Sequence, residues 1–448
     1  VIDAGQAVAP PPSAGQADTR ASCARTALHA SAAAMEGFYR DRDRACYRRP
    51  MRWLVVLACA ALACGGGAGD PDALGDAGPT ADADVGAVGA AVFDPGVLHT
   101  VALEVAPEHL ATLEDSVDVR VPATLTFDGV TVAQVGLRKK GATSRRPLAD
   151  KPGFTIKLNS FVPGQRLDGL KKLTLDNAIE DPSLVTGHLS YEVYRRAGLP
   201  APRTAHATVS FNGVDKGLYV LEESTDAQYL ATHFGAGDGN VYEGPWDFPR
   251  GAAAAPLRDE VEDGRSRADL EALTAVVMDT PDAELADALA PLLDVDRFLT
   301  NFAVEMAAAL WDNYAIVAWN FYLYHVPGGR FVMLTHGVNW PYFRADMDPF
   351  DLHTDPWNAD APPGFLCDRF LRIPALADRY RAELARVSRD AFDVPALLAR
   401  IDQVDAILHA RPLTGASAAQ LDRFEAAVVE ARAFVRDRKA FLTSRLGL

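Results

Sequence analysis

AGLPAPRTAHATVSFNGVDKGLYVLEE, residues 197–223, marks where a strand-rich part of the chain gives way to a helix-rich part. Gly198 with Pro200 beyond it stops a helix: glycine accepts the left-handed C-terminal position, and proline cannot continue the ladder. Asn212-Gly213 then separates two strand-like runs, the signature of a two-residue hairpin turn.

Upstream of this stretch the pattern alternates. Val101, Leu103 and Val105 form one half-buried run, and Val119, Val121, Ala123, Leu125 and Phe127 a second. Asp128-Gly129 separates the latter from Val130, Val132, Val135 and Leu137, a second hairpin signal. A further strand is expected at Phe154 to Leu158. Asp181-Pro182 caps and opens a helix over Ser183 to Ala197.

Downstream of Glu223 helices dominate, over 267–279, 282–293, 295–310, 373–390 and 417–442. In the last, Leu421, Phe424, Val428, Ala431, Val435 and Phe441-Leu442 keep one apolar face, which reads as core. Strands at Ala318 to Tyr324 and Arg330 to Leu334, joined by Pro327-Gly328-Gly329, interrupt the helices. The expected class is α+β, with a β-rich lobe over about 95–223 and a helix-rich lobe over about 224–448.

The 448 residues allow two or three domains of about 100–200 residues each. A hydrophobic fraction of 49% is that of a globular protein. Lys+Arg 44 against Asp+Glu 60 gives a net charge of -16, which argues against general binding of nucleic acid or anionic lipid through the bulk surface. A local basic pocket stays open.

Residues 51–66, MRWLVVLACAALACGG, carry Arg52, an apolar run from Trp53 to Leu62, and small residues before Cys64, the pattern of an export signal over 51–63. The run is too short for a permanent span. Cys64 at the cleavage point is a candidate lipidation site, although Ala61 stands where the lipoprotein motif usually has Leu. The chain is expected to be an outer-membrane or cell-surface lipoprotein, or else secreted, meeting membrane only through that anchor. Residues 1–50 precede the signal and read as a non-native or disordered extension, with Met51 as the true start. Residues 64–94, rich in Gly, Ala and Asp, read as a disordered tether, leaving 95–448 as the folded domain. Loss of the leader removes Cys23, Cys46 and Cys59, so a lipidated Cys64 leaves Cys367 no partner within the mature chain.

Three segments resemble the CotH kinases. Ala197 to Glu223 is similar to that family's Gly-Leu-Pro-Ala-Pro-Arg turn and its acidic-ended hairpin. WDNYAIVAWNFYLYH, Trp311 to His325, resembles its Trp-Asp-x-Tyr segment followed by an aromatic strand. VGLRKKGATS, Val135 to Ser144, with KPGFTIKL, Lys151 to Leu158, is similar to its Arg-Gly-Asn-Ser-Ser stretch and Lys-Pro strand. The resemblance covers roughly 97–390. It implies a two-lobed, atypical protein-kinase-like fold that uses ATP and Mg²⁺ to phosphorylate Ser or Thr hydroxyls of a protein substrate.

Phosphoryl transfer needs cations at the phosphates, a carboxylate near the attacking hydroxyl and oxygen ligands for the metal. By resemblance, Asp312 is the catalytic carboxylate that takes the hydroxyl proton; the plainer reading is a cap on the turn after the helix. Asn320, eight residues on, matches the family's metal-binding Asn, or is a strand residue bonded to a loop. Lys140, Lys151 and Lys157 are the candidates for neutralising phosphate, with Lys-Pro at 151 the better match. Glu222 stands where a kinase-like hinge meets adenine, or is a solvated strand end.

The second metal position departs from the family. Leu334-Thr335-His336-Gly337-Val338-Asn339-Trp340 carries Asn339 where the family's Pro-His-Gly-x-Asp form ends in Asp. A neutral amide still offers an oxygen but lacks the charge that offsets Mg²⁺. Asp346 and Asp348 are substitutes in position, or members of a polar loop. Two functions therefore stand: an active exported kinase, or an envelope-anchored pseudokinase or binding module with a weakened metal site.

Overall fold

Both hairpin turns form as the sequence dictates. Asn212 and Gly213 take φ values of 46° and 75°, and Asp128 and Gly129 take 45° and 84°. Two positive φ values in succession match the right-handed twist of the flanking strands. The strands are β1 (Leu98–Glu104), β2 (Val121–Phe127), β3 (Val130–Lys140), β4 (Gly153–Lys157), β5 (Lys172–Asp176), β6 (Thr204–Phe211) and β7 (Val214–Glu222). They close into a barrel in the order β1-β2-β3-β4-β5-β7-β6. All neighbours are antiparallel except β1 and β6, whose parallel pairing closes the ring.

Inward residues alternate along each strand and fill the barrel with Leu103, Leu125, Val135, Leu137, Phe154, Ile156, Leu173, Leu175, Ala207 and Leu221. The change of phase between Val132 and Val135 is a bulge: Ala123 pairs Val135 while Leu125 pairs Val132. Two residues of β3 thus face Thr124 alone, and Gln134 takes φ 57°. Val119 falls outside β2 and is exposed, so the second alternating run begins two residues later than the pattern implied.

This computed structural model describes residues 88–258, 265–339, 344–355 and 361–448. They all fall within one compact unit. The expectations for residues 1–50, for the signal at 51–63 and for Cys64 lie outside the described residues. The tether boundary at 94 is corrected: Val92 and Phe93 are buried in the barrel core, and Gly89 N donates to Asp168 O at 2.7 Å. Packed chain therefore begins by Val88.

The helical region holds α1 (Pro107–Asp115, on the barrel), α2 (Thr186–Arg196), α3 (Ala227–Phe234), α4 (Ala268–Asp279), α5 (Leu285–Leu289), α6 (Val295–Ala307) and the single turn α7 (Tyr314–Val317). It continues with α8 (Phe365–Arg372), α9 (Pro374–Arg386), a π-turn at Val387–Ala391, α10 (Val394–His409) and α11 (Gly415–Leu446). The helix expected from Ser183 begins only at Thr186, with Val185 before it, so Pro182 lies outside the first turn; Asp181 still holds the helix start, its Oδ2 accepting from Thr186 N at 2.9 Å. Burial raises this carboxyl to about 6, against the opposing bonds from Ser183 and Thr186.

A second sheet joins β8 (Val241–Glu243), which follows α3, to β9 (Phe321–His325) and β10 (Phe331–Thr335), which lie between α7 and α8, in the order β10-β9-β8. The strand expected from Ala318 begins only at Phe321, because residues 314–317 close a helical turn and Ala318 ends it in the left-handed region. The helix expected over 282–293 shrinks to Leu285–Leu289.

Arg438 lies on the buried stripe of α11 and is fully enclosed. Its guanidinium donates to Ala307 O at 3.0 Å, Ala345 O at 2.9 Å and Met347 O at 2.6 Å, and also to Met306 O. It thereby satisfies carbonyls that the end of α6 leaves open. Burial lowers its pKa to about 10.

Candidate functional site

The segment after α6 is fixed by backbone bonds before any side chain acts. Ala309 takes φ 54°, Leu310 N donates to Glu305 O at 2.8 Å, and Trp311 N to Ala309 O at 3.1 Å. These place Asp312 at the head of α7. Asn320 sits with φ 50°, a conformation that asparagine tolerates better than most side chains. From there its Nδ2 donates to Asp312 O at 2.7 Å and to Asp312 Oδ2 at 2.9 Å. Asn313 Nδ2 donates back to Asn320 O at 3.1 Å, and His336 N donates to the same carbonyl at 3.3 Å.

Gly337 completes the group. It holds φ 63°, and a Cβ there would come within 2.9 Å of Asn320 Oδ1. The missing side chain keeps space beside the amide oxygen. Asp312, Asn320 and His336-Gly337, separated by up to 25 residues in sequence, thus form one constellation.

Glu305, on α6, braces the same segment. Its Oε2 accepts from Ala315 N at 2.8 Å, and its Oε1 accepts from Asn301 Nδ2 at 2.8 Å. Burial is the largest influence on this carboxyl and raises it to about 7, against those bonds.

The barrel contributes a charged cluster. Lys140 ends β3, and its Nζ donates to Asp176 Oδ2 at 2.8 Å at the end of β5. Asp176 Oδ1 accepts from Ala178 N at 2.8 Å. Gly153, opposite Lys140 in the β3–β4 pair, leaves room for the lysine stem: a Cβ there would meet Lys140 Cγ at 2.9 Å. Burial works against the Lys140 ammonium, but the carboxylates of Asp176 and Glu222 outweigh it and hold its pKa above the ordinary range. For Asp176, burial is likewise outweighed, by Lys140, and its pKa is lowered. Glu222 ends β7 and accepts from Tyr191 OH at 2.9 Å; burial raises its pKa while Lys140 opposes the rise. Burial also raises Glu180, whose carboxyl bonds Thr143.

His336 connects the two groups. Its ring stacks on Tyr322 at 4.1 Å, and Arg258 lies over Tyr322 at 4.4 Å from the ring centroid. Burial, then the positive fields of Arg258 and Lys140, push the imidazole down to about 3, so it is neutral at physiological pH.

The structure therefore brings Asp312 together with Asn320, and Lys140 together with Glu222. Lys151 lies close to the barrel cluster but is already committed: its Nζ donates to Asn177 O at 2.5 Å and sits 4.9 Å from the centroid of Tyr219. Burial brings it down to about 7, against the field of Asp176. Lys157 is not brought in. It pairs Gly136 and Lys172, four residues along β4 from the Gly153 that faces Lys140, roughly 13 Å at strand rise. Asn339 lies where α2 begins, 3.4 Å from the position a Cβ would take at Gly187. Asp346 and Asp348 pair with Arg344 and Arg445 at 2.8 and 3.2 Å, as members of a polar loop.

Sequence reasoning missed Asp176, Glu180, Tyr191, Arg258 and Glu305. A signal existed for Asp176, since KKLTLD ends an alternating apolar run on a carboxylate. Among the described residues no group of three His, Cys, Asp or Glu side chains is arranged to hold a metal, and no helix is long and apolar enough to cross a membrane.

The family model described as CotH kinase protein matches residues 137–442. Among curated proteins, Inner spore coat protein H of Bacillus subtilis (strain 168) is 22% identical over 310 residues, covering 64% of this chain and 82% of that protein. Among solved structures, the Shewanella oneidensis MR-1 toxin–antitoxin complex of HipA, HipB and operator DNA aligns over 69% of this chain and 68% of that one, at 12% identity and a TM-score of 0.30.

Proposed function

Because this chain belongs to the CotH kinase protein family, we propose that it transfers the γ-phosphoryl group of ATP to a Ser or Thr hydroxyl of a protein substrate. The barrel and the helical region serve as the two lobes, with the nucleotide between Lys140 and the Asp312 segment. The observation that carries this reading is the Asp312–Asn320 pair, locked in a left-handed turn beside His336-Gly337, which lies within the electrostatic reach of Lys140.

Asp312 accepts the substrate hydroxyl proton as the oxygen forms its bond to the γ-phosphorus. The bond from that phosphorus to the β,γ-bridging oxygen breaks, and ADP leaves with the electron pair. Asn320 holds the Asp312 carboxylate in one orientation. Lys140, kept charged by Asp176 and Glu222, balances phosphate charge.

The oxygens here suit a hard cation. Asn320 uses its Nδ2 on Asp312 and keeps Oδ1 beside the space at Gly337 that a Cβ would fill. Asn320, through Oδ1, and Asn339 would hold Mg²⁺, which supplies charge neutralisation at the phosphates when bound. A binding module with a weakened metal site is the second reading, favoured by the neutral Asn339 and by a 143–144 segment engaged internally, with Ser144 O accepting from Asn177 Nδ2 at 2.8 Å. Export and anchoring through Cys64 complete the proposal, supported by the leader pattern and by a spore-coat relative.

The test is to incubate the purified chain with labelled ATP, Mg²⁺ or Mn²⁺ and a generic protein acceptor, and to measure the thermal midpoint in parallel. Acid-stable label on Ser or Thr supports the kinase. A nucleotide-induced rise in midpoint without label supports the binding module, and neither signal removes both.

A further inference from the structure

Glu305 is buried, with 1% of its surface exposed, and it holds both ends of the segment that carries Asp312. Its main-chain carbonyl accepts from Leu310 N and its carboxylate accepts from Ala315 N, both at 2.8 Å. The four residues between these anchors include Asp312 and begin α7. The second carboxylate oxygen is fixed by Asn301, one turn back on α6 and itself buried. The end of α6 is in turn held by Arg438 on Ala307 O.

We infer that Glu305 is a positioning residue: it sets the place of the Asp312 carboxylate by clamping Leu310 and Ala315 to one point of α6. This rests on the reading of Asp312 as the group that takes the hydroxyl proton. A displacement of about 1 Å at a reacting group can cost about 100-fold in rate. Loss of the carboxylate half of the clamp, on Ala315 N, should therefore act on kcat far more than on nucleotide binding, to which Lys140 on the barrel contributes unchanged.

Geometry and charge separate in two conservative variants. Glu305→Gln keeps the length and an oxygen for Ala315 N, while Asn301 can turn its amide to present Oδ1 to the new NH₂ group. Glu305→Asp keeps the charge but falls one methylene short of Ala315 N. Steady-state kinetics of the full chain are measured well below each variant's melting midpoint, beside Glu305→Ala and Asp312→Ala.

The expected order in kcat is wild type, then Glu305→Gln within about 3-fold, then Glu305→Asp and Glu305→Ala lower by about 30-fold or more, with KM for ATP moving less than about 3-fold throughout. If Glu305→Ala does not fold, the Gln-over-Asp order still decides. Glu305→Asp equal to or faster than Glu305→Gln, or a loss confined to KM, overturns the inference. Wild-type kcat in Asp312→Ala would instead overturn the catalytic reading itself, so the two failures are distinguishable.

Discussion

Lowering the pH from 7.5 to 5.0 should weaken the fold through His206, and by an amount the structure sets. His206 is fully buried on β6, where its Nε2 donates to Leu184 O at 2.8 Å. That bond assigns the proton to Nε2 and leaves Nδ1 bare, and Nδ1 finds no hydrogen-bond partner among the described residues. The faces around it offer no carboxylate contact: His188 from α2 lies 5.6 Å away ring to ring, and His99 from β1, whose Nδ1 meets Asp128 Oδ2 at 2.6 Å, adds positive field.

Burial is the largest cause and lowers the His206 pKa from 6.5 to about 4. The unfolded chain binds a proton below 6.5 and the folded chain does not until about 4, so stability is full above 6.5 and is lost as pH falls through that window. At pH 5.0 the loss is about 1.5 units at 1.36 kcal/mol each, or about 2 kcal/mol. Burial also lowers His188, which will lose stability in the same direction, whereas the raised carboxyls of Glu305 and Asp181 act oppositely. The comparison is therefore made against His206→Gln, which removes this titration and, beyond it, the His206 field that helps lower His188. Urea unfolding of both proteins at pH 7.5 and 5.0 should show the wild type losing about 2 kcal/mol more than the variant. Losses equal to within about 0.5 kcal/mol would refute the reasoning.

Three further outcomes follow from the site and its supports. Gly337→Ala places a Cβ 2.9 Å from Asn320 Oδ1 at a positive φ, and should cost about 1–2 kcal/mol in urea unfolding together with a drop of about 10-fold or more in phosphoryl transfer. Arg438→Met leaves the carbonyls at Ala307, Ala345 and Met347 without their donor, and should lower stability by at least about 3 kcal/mol in a denaturant melt. Asn339→Asp restores a negative ligand beside the start of α2, and titration calorimetry with Mg²⁺ and nucleotide should give tighter metal binding with equal or higher transfer.

The parts of the fold that were legible are those set by local chemistry. Asp128-Gly129 and Asn212-Gly213 force their hairpins whatever surrounds them, and Gly198, at φ 90°, stops α2 just past its last turn. Strand β5 was overlooked despite the short alternation of Leu173 and Leu175; only two apolar residues mark it, and what makes it a strand is pairing with β4 and β7 in a closed ring. The α10 helix was overlooked despite a local signal, Asp393, whose Oδ1 accepts from Ala396 N.

The same division holds at the site. Asp312 and Asn320 are eight residues apart and share a motif, so they could be paired by sequence alone. Lys140, Asp176 and Glu222 meet only because β3 and β5 end at one edge on either side of β4 and antiparallel β7 sets Glu222 opposite Thr174, and nothing local encodes that. Arg438 stood in plain view: it continues the stripe of Val428, Ala431 and Val435 with a charge, and a charge on a core stripe calls for buried acceptors.

The most direct measurement is single-turnover phosphoryl transfer from labelled ATP by the intact chain with Mg²⁺, wild type beside Asp312→Ala, both verified as folded by near-ultraviolet circular dichroism. The expected result is metal-dependent transfer in the wild type and a loss of about 100-fold or more in Asp312→Ala, the range of a positioned general base. Transfer at the wild-type rate by folded Asp312→Ala would contradict the assignment.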